Sequence, residues 1–398
     1  MPFFRGNNIY CKGKNADGIC GGKTEEVTMV KILIGFIMDG KAGGVDKYIL
    51  DFYEKIHGKY AQVDLLTNNY TEELAERLKI KGSRLLVCPR AINTWGQYKT
   101  LKNFVSQNGY NIVYFNYSTS IGWSALKGAR DGGADRVVLH SHNNGFCHNN
   151  TLIEKIYKIV HYISRPIIRR YATDYLSCSD EAANWMFGTK AVKSGKIKYI
   201  KNEVDSNSYQ PSEEKRIAFR SQYGLQDNFV IGNVGGMLKA KNQAFLIKLM
   251  PQLKKYIPNV KLMLVGDGEN RKKLEGLSKA LNISNDVIFT GYLNTKDGIM
   301  NSFDVFCLPS YIEGYPYVSV EAQRLFIPCI FSEHITKQIV HTNACAYISV
   351  KKPSLWIERI IKYKNTNQSV RLFENYSDKE FITFFEFITG VLKEMLGE

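Results

Sequence analysis

The chain has 398 residues, room for two to three domains at roughly 100–200 residues each. Hydrophobic residues make up 44% and charged residues 23%, which excludes wholesale disorder. No apolar run reaches the ~18 residues a membrane span needs, and the first thirty residues lack the apolar stretch of a secretory signal. With 53 Lys and Arg against 38 Asp and Glu the net charge is +15, a surface suited to nucleic acid, anionic lipid or a phosphorylated substrate. The eight cysteines form no C-x-x-C pair, and several lie in apolar runs, so they read as reduced thiols rather than as a disulfide frame or zinc site.

Residues 1–29, rich in Gly, Asn and Lys, read as a disordered N-terminal extension. Its Cys20-Gly21-Gly22-Lys23 stretch lacks the preceding strand that a phosphate loop requires. An alternation of short apolar runs and amphipathic helices starts at Val30. Strands are predicted at 30–38, 63–67, 85–88, 112–115, 136–140, 175–178 and 197–200. Helices are predicted at 47–57, 71–78, 100–108, 124–131, 152–171 and 180–187. A polar break at 202–212 follows, and the alternation restarts. The second set has strands at 229–234, 260–265, 287–290, 305–308 and 328–331, and helices at 212–223, 244–256, 270–281, 295–301 and 318–324. This pattern predicts two doubly wound parallel sheets, each covered on both faces, with a ligand in the cleft between them. The expected units are 30–205 and 206–375. A C-terminal segment, 376–398, follows, in which Phe381, Phe384, Phe385, Ile388, Leu392 and Met395 make an amphipathic helix expected to pack on the body.

The sharpest candidate site follows the predicted strand 305–308. Glu313 lies in a loop with Gly314, and Glu321 lies eight residues on, in the helix. The helix N-terminus suits a phosphate, and Gly314 permits close backbone approach to a ligand. Two carboxylates alone would read more readily as a solvated loop residue and a surface pair. This segment, with its lead-in Asp304-Val305-Phe306-Cys307-Leu308-Pro309-Ser310, resembles the E-x7-E region of retaining glycosyltransferases of the GT-B fold, family 4, closest to bacterial members that build exopolysaccharide and capsule. The resemblance covers most of residues 30–375. It implies a GT-B architecture and transfer of a sugar from a nucleoside-diphosphate-sugar donor, expected to be a UDP-sugar. By that resemblance Glu313 faces the donor sugar, Glu321 holds its ribose, and the amides near Tyr317 and Val318 meet the diphosphate.

Other segments resemble the family in order. Gly266, in Leu264-Val265-Gly266-Asp267-Gly268, lies beside the nucleotide, and Tyr292, after Thr290-Gly291, lies in the loop that contacts the base. Gly43 and Gly44 stand in the N-terminal glycine loop, where a simple turn is the even alternative. His142, in His140-Ser141-His142-Asn143, takes the donor-sugar-facing position, a backbone-capping role being the alternative. Lys241 matches the lysine of the diphosphate-binding stretch. The arginine expected five residues earlier is replaced by Gly236, with Lys239 nearby as a candidate substitute.

No D-x-D sequence occurs, so no metal and no other cofactor is expected. The expected acceptor is a glycan, most naturally a lipid-linked one, and no nucleic-acid motif accompanies the charge. The helix 152–171 combines an Ile-rich stripe with Lys155, Lys158, Arg165, Arg169 and Arg170. It reads either as an ordinary core helix or as a peripheral contact with anionic membrane at the inner face of the cell membrane of a cytoplasmic protein. A catalytically weak homologue supporting a partner transferase, and a nucleotide-sugar epimerase of the same fold, are the rival readings.

Overall fold

The computed structural model describes residues 29–38, 40, 43–200, 202, 204, 209–293, 297–366 and 383–396. The expected extension, apart from Met29, lies outside the described residues, as do the expected boundary at 205–206 and residue Phe381 of the last segment.

Two sheets form the frame. The first contains β1 (Lys31–Ile37), β2 (Gln62–Thr67), β3 (Leu85–Val87), β4 (Ile112–Tyr117), β5 (Arg136–Ser141), β6 (Asp174–Ser177) and β7 (Ile197–Tyr199), in the order β3-β2-β1-β4-β5-β6-β7. The second contains β8 (Phe229–Val234), β9 (Val260–Val265), β10 (Val287–Gly291), β11 (Val305–Leu308), β12 (Cys329–Ser332) and β13 (Cys345–Ile348), in the order β10-β9-β8-β11-β12-β13. Every ladder between these strands is parallel. The alternation of apolar runs and helices therefore folds as predicted, into two α/β units.

Strand β1 shows why these sequences choose this arrangement. Ile32 and Ile34 enter one buried cluster while Leu33 enters another, so both faces are dry and the run can be apolar throughout. In the second sheet Val230 and Val234 point to one side, and Phe229 and Ile231 to the other. One cluster is continuous between the units and contains both Tyr48 and Tyr317.

Strand order reverses between β1 and β4 in the first sheet and between β8 and β11 in the second. Such switch points open a crevice beyond the carboxyl ends of the strands. The loops after β1, β5, β8 and β11, which carry most of the candidate residues, leave the sheets there.

The structure adds β13 and the helix Pro353–Thr366 beyond the predicted elements. Trp356, Ile357 and Ile360 of that helix are buried against the second sheet. The last helix, Phe384–Leu396, returns to the first unit. It buries Phe387, Ile388, Val391 and Leu392, stacks Phe385 edge-on against Tyr60, and pairs Glu394 with Arg136.

The helix Thr151–Tyr171 corrects the core-helix expectation. Its apolar stripe faces solvent: Leu152 is 65% exposed, Ile156 49%, Ile159 60% and Ile163 64%. The buried line is His161, Ser164 and Ile168. His161 is admitted to the interior because its polar atoms are used there: Nδ1 accepts from the Ser120 amide at 3.0 Å, and Nε2 faces the Trp185 carbonyl at 3.0 Å.

A half-buried ion cluster around the buried Arg220 fixes β11. Asp304 accepts from Arg220 at 2.6 Å, from Arg216 at 2.5 Å and from the Val230 amide at 2.7 Å, tying β11 to β8. Replacing Asp304 with Ala leaves the buried Arg220 without its counter-charge, and a loss of about 3–5 kcal/mol in unfolding free energy is expected in urea titration.

Candidate active site

Glu313 sits in the loop after β11 and is 5% exposed. Its Oε1 accepts from Lys241 Nζ at 2.7 Å and from Ser310 Oγ at 2.8 Å. Lys241 reaches it from the loop after β8, and the Tyr311 amide donates to the Ala240 carbonyl at 2.8 Å, which holds the two loops side by side. The Glu313 amide donates to Asn144 Oδ1 of the first unit at 3.1 Å. Asn144 in turn donates Nδ2 to the His334 carbonyl at 3.0 Å.

Gly314 has a different physical reason from the one read in the sequence. A Cβ there would overlap the His142 carbonyl and press on Cys178 Sγ. The glycine admits the opposing unit's backbone, and this contact brings Glu313 and His142 into one locus.

His142 lies at the end of β5, its ring tilted 43° against that of His140 with 3.9 Å between centroids. Asn116 donates Nδ2 to the Gly35 carbonyl, so its Oδ1 faces His142 Nε2 at 2.8 Å and assigns the proton to that nitrogen. Nδ1 is left as an acceptor. Burial pushes the His142 imidazole down to about 3, and burial together with the neighbouring His142 pushes His140 well below the ordinary histidine range. Both rings are therefore neutral at pH 7. His140 Nδ1 lies 3.1 Å from the Tyr114 hydroxyl, which lies 2.6 Å from that of Tyr48.

Glu321 forms a second locus. It is 2% exposed, and its Oε1 pairs with Lys47 Nζ of the first unit at 3.2 Å. Its Oε2 is buried and has no hydrogen-bond partner among the described residues. A buried carboxylate oxygen without a donor is costly, and this one can accept a ligand hydroxyl. Gly44 opens the helix Gly44–Ile56, and a Cβ on it would touch the Tyr317 ring at 3.4 Å. Tyr317 and Val318 open the helix Tyr317–Arg324, so two helix N-termini meet across the cleft. Gly43 precedes the first of them with φ 104°, a conformation that favours glycine.

The remaining candidates sit along the edge of the second unit. Gly266 (φ 132°) packs on the Gly235 carbonyl so closely that a Cβ would overlap it, and its amide donates to the Gly291 carbonyl at 2.9 Å. Its need for glycine is thus met by backbone contact alone. Tyr292 follows β10 with its side chain 41% exposed. Lys239 is not beside Lys241's partner: its Nζ donates to the His148 carbonyl at 2.6 Å and pairs with Glu154 at 3.3 Å, clasping the two units together. That corrects its candidacy as a substitute for the missing arginine.

Lys47, Asn144, Asn116 and Ser310 are site residues that the sequence reading passed over. Ser310 is three residues from Glu313, and Lys47 follows the glycine loop by one helical turn; Asn144 and Asn116 carried no local signal. Among the described residues, no group of three or more His, Cys, Asp or Glu side chains could hold a metal ion, and no helix is long and apolar enough to cross a membrane.

Two family models match the chain: Glycosyltransferase Family 4 over residues 42–208, and Glycosyl transferases group 1 over residues 215–380. The chain is 29% identical over 327 residues to the putative glycosyltransferase EpsF of Bacillus subtilis, covering 80% of this chain and 84% of that one. It is 29% identical over 239 residues to the UDP-Gal:alpha-D-GlcNAc-diphosphoundecaprenol alpha-1,3-galactosyltransferase of Escherichia coli, covering 59% of this chain and 60% of that one. Among solved structures, Anabaena HepE in complex with UDP and glucose superposes with a TM-score of 0.72 at 18% identity, covering 92% of this chain and 99% of that one. These matches agree in fold with two α/β units in the GT-B arrangement.

The buried histidines set a pH dependence for stability. Their folded values lie below the unfolded value of about 6.5, so below that pH the unfolded chain binds more protons. Stability is full above about pH 6.5 and falls as the pH drops toward 4, by up to about 1.4 kcal/mol per pH unit for each histidine. His142→Gln should flatten that slope in urea titrations between pH 7 and 4.5.

Proposed function

The chain belongs to the group 1 glycosyltransferases, and from that premise we propose that it transfers a sugar, with retention at the anomeric carbon, from a UDP-sugar to a lipid-linked glycan in the assembly of a bacterial exopolysaccharide or capsule. The observation that carries this reading is the Glu313 locus: a buried carboxylate held 2.7 Å from Lys241, in a loop whose Gly314 packs on the His142 carbonyl of the opposite unit, with Glu321 eight residues on.

In this reading the bond between the sugar's C1 and the diphosphate oxygen breaks, and its electron pair leaves with that oxygen. The acceptor hydroxyl oxygen bonds to C1 from the same face, and its proton passes to the departing phosphate oxygen. Lys241 and the amides at the start of the helix Tyr317–Arg324 stabilise the growing negative charge. Glu313 faces the oxocarbenium-like carbon. The neutral His142 accepts a donor-sugar hydroxyl at Nδ1, and Glu321 Oε2 accepts from the ribose. The reading needs no metal, because Lys241 and the helix amides take the charge-neutralising role. The base is taken from the similar proteins: HepE was solved with UDP, and the galactosyltransferase is named for UDP-Gal.

The test is nucleotide release from UDP-, GDP- and ADP-sugars with membrane extract as acceptor source. Release from a UDP-sugar is expected, and Glu313→Gln should reduce it by about 10²-fold or more. Silence across the panel from folded protein would overturn the reading.

A lipid-linked acceptor is supported by the exposed stripe of the helix Thr151–Tyr171. At 3.6 residues per turn, Leu152, Ile156, Ile159 and Ile163 fall within an arc of about 60° opposite the buried line. Arg165, Arg169 and Lys190 line a recess of about 300 Å³ along its flank. On the same projection the exposed Lys155 lies beside the stripe and the exposed Arg170 in line with it, and an exposed apolar face with such cations fits the interface of an anionic bilayer, where each cation adds about 1 kcal/mol. The double substitution Ile156→Glu with Ile163→Glu should abolish co-sedimentation with vesicles containing phosphatidylglycerol, while the melting temperature and UDP affinity stay unchanged.

A further inference from the structure

The diphosphate site as read from the loop after β8 is one cation short. Lys241 is present, Gly236 stands where the resemblance expects an arginine, and Lys239 is committed to His148 and Glu154. A diphosphate that leaves with the electron pair of the C1–O bond gains negative charge, and one lysine is a sparse counterweight.

The structure brings a second cation from the other side. Lys47 stands in the first turn of the helix Gly44–Ile56. Its Nζ lies 5.0 Å from the centroid of Tyr317, the first residue of the facing helix, and 3.2 Å from Glu321. The ammonium thus sits where the two helix N-termini converge. A lysine ammonium has three N–H donors. The hydrogen bond to Glu321 uses one and leaves two for a phosphate oxygen. The buried, unpartnered Glu321 Oε2 marks the same spot as a place built for a polar ligand. Lys47 is 37% exposed on its side chain, so the ion pair does not close it off from solvent.

We propose that Lys47, contributed by the N-terminal unit, is the second cation of the donor diphosphate, in place of the arginine missing at Gly236. This rests on the transferase reading above. It makes the diphosphate site a two-unit site: the C-terminal unit supplies Lys241 and helix amides, the N-terminal unit the remaining charge. It also gives the Lys47–Glu321 pair a purpose beyond closure, because the carboxylate fixes the height at which the ammonium meets the phosphate.

The test compares affinity for UDP with affinity for uridine, by calorimetry, alongside kcat. Lys47→Ala is expected to weaken UDP by about 10–100-fold while leaving uridine within about 3-fold, and to lower kcat. Lys47→Arg should retain most of the UDP affinity. Relocating the charge gives the decisive arm. A Cβ at Gly236 would meet Asp267 and Leu238 only at ordinary contact distance, 3.7 Å, so Gly236→Arg can be accommodated. In the Lys47→Ala background, Gly236→Arg should recover at least about tenfold in UDP affinity. Equal losses for UDP and uridine would overturn the proposal and leave Lys47 as a support for Glu321 alone. Failure of Gly236→Arg to recover any UDP affinity would also overturn it. If the wild-type protein bound uridine and UDP with equal affinity, the diphosphate site itself would fall. If it bound neither, the transferase reading beneath it would fall too.

Discussion

Glu313 and Glu321 are both taken out of water by the C-terminal unit, and neither can remain there without donors brought by other parts of the chain. A carboxylate in a low-dielectric interior needs a counter-charge or hydrogen bonds. Lys241 supplies one for Glu313 from a neighbouring loop of its own unit, and Ser310 another from the same loop. The opposing unit supplies Lys47 to Glu321 and steadies the Glu313 loop through Asn144. The cleft geometry depends on this exchange. Gly314 lets the two units touch at His142, Lys239 clasps Glu154, and Gln338 accepts from the Asp180 amide at 3.1 Å.

Neutral imidazoles complete the arrangement. His140 and His142 lie where desolvation removes their charge, so no repulsion arises between the adjoining rings. Their value lies in fixed hydrogen-bond direction. Asn116, itself held by the Gly35 carbonyl, orients His142, and the Tyr48–Tyr114 pair holds His140. The result is a rigid acceptor whose state does not change across the physiological pH range.

Much of this was legible in the sequence, for a definite reason. Glu313, Glu321, His142 and Lys241 follow strand ends, and a parallel sheet brings its strand ends to one rim; local order in the chain therefore becomes proximity in space. Lys47 and Asn144 were not legible in this way, because their partners lie 274 and 169 residues off. A lysine on an amphipathic helix and an asparagine in a loop look the same whether or not another unit faces them. The helix Thr151–Tyr171 shows a further limit. Periodicity reveals that one side is apolar, but which side turns inward depends on what the neighbouring elements offer. Ser120 and Trp185 offer partners to a histidine, and the isoleucines were left outside.

The return of the last helix, Phe384–Leu396, onto the first unit gives the chain a route out and back. Counted from the N-terminal sheet, the whole of the second sheet is an excursion that leaves after β7 and comes home before Phe384. The two units are joined by two covalent crossings rather than one. The homecoming helix also lies beside the helix that bears Lys47, with Phe385 against Tyr60 just beyond its end. The chain thus braces the helix that carries Lys47 across to Glu321.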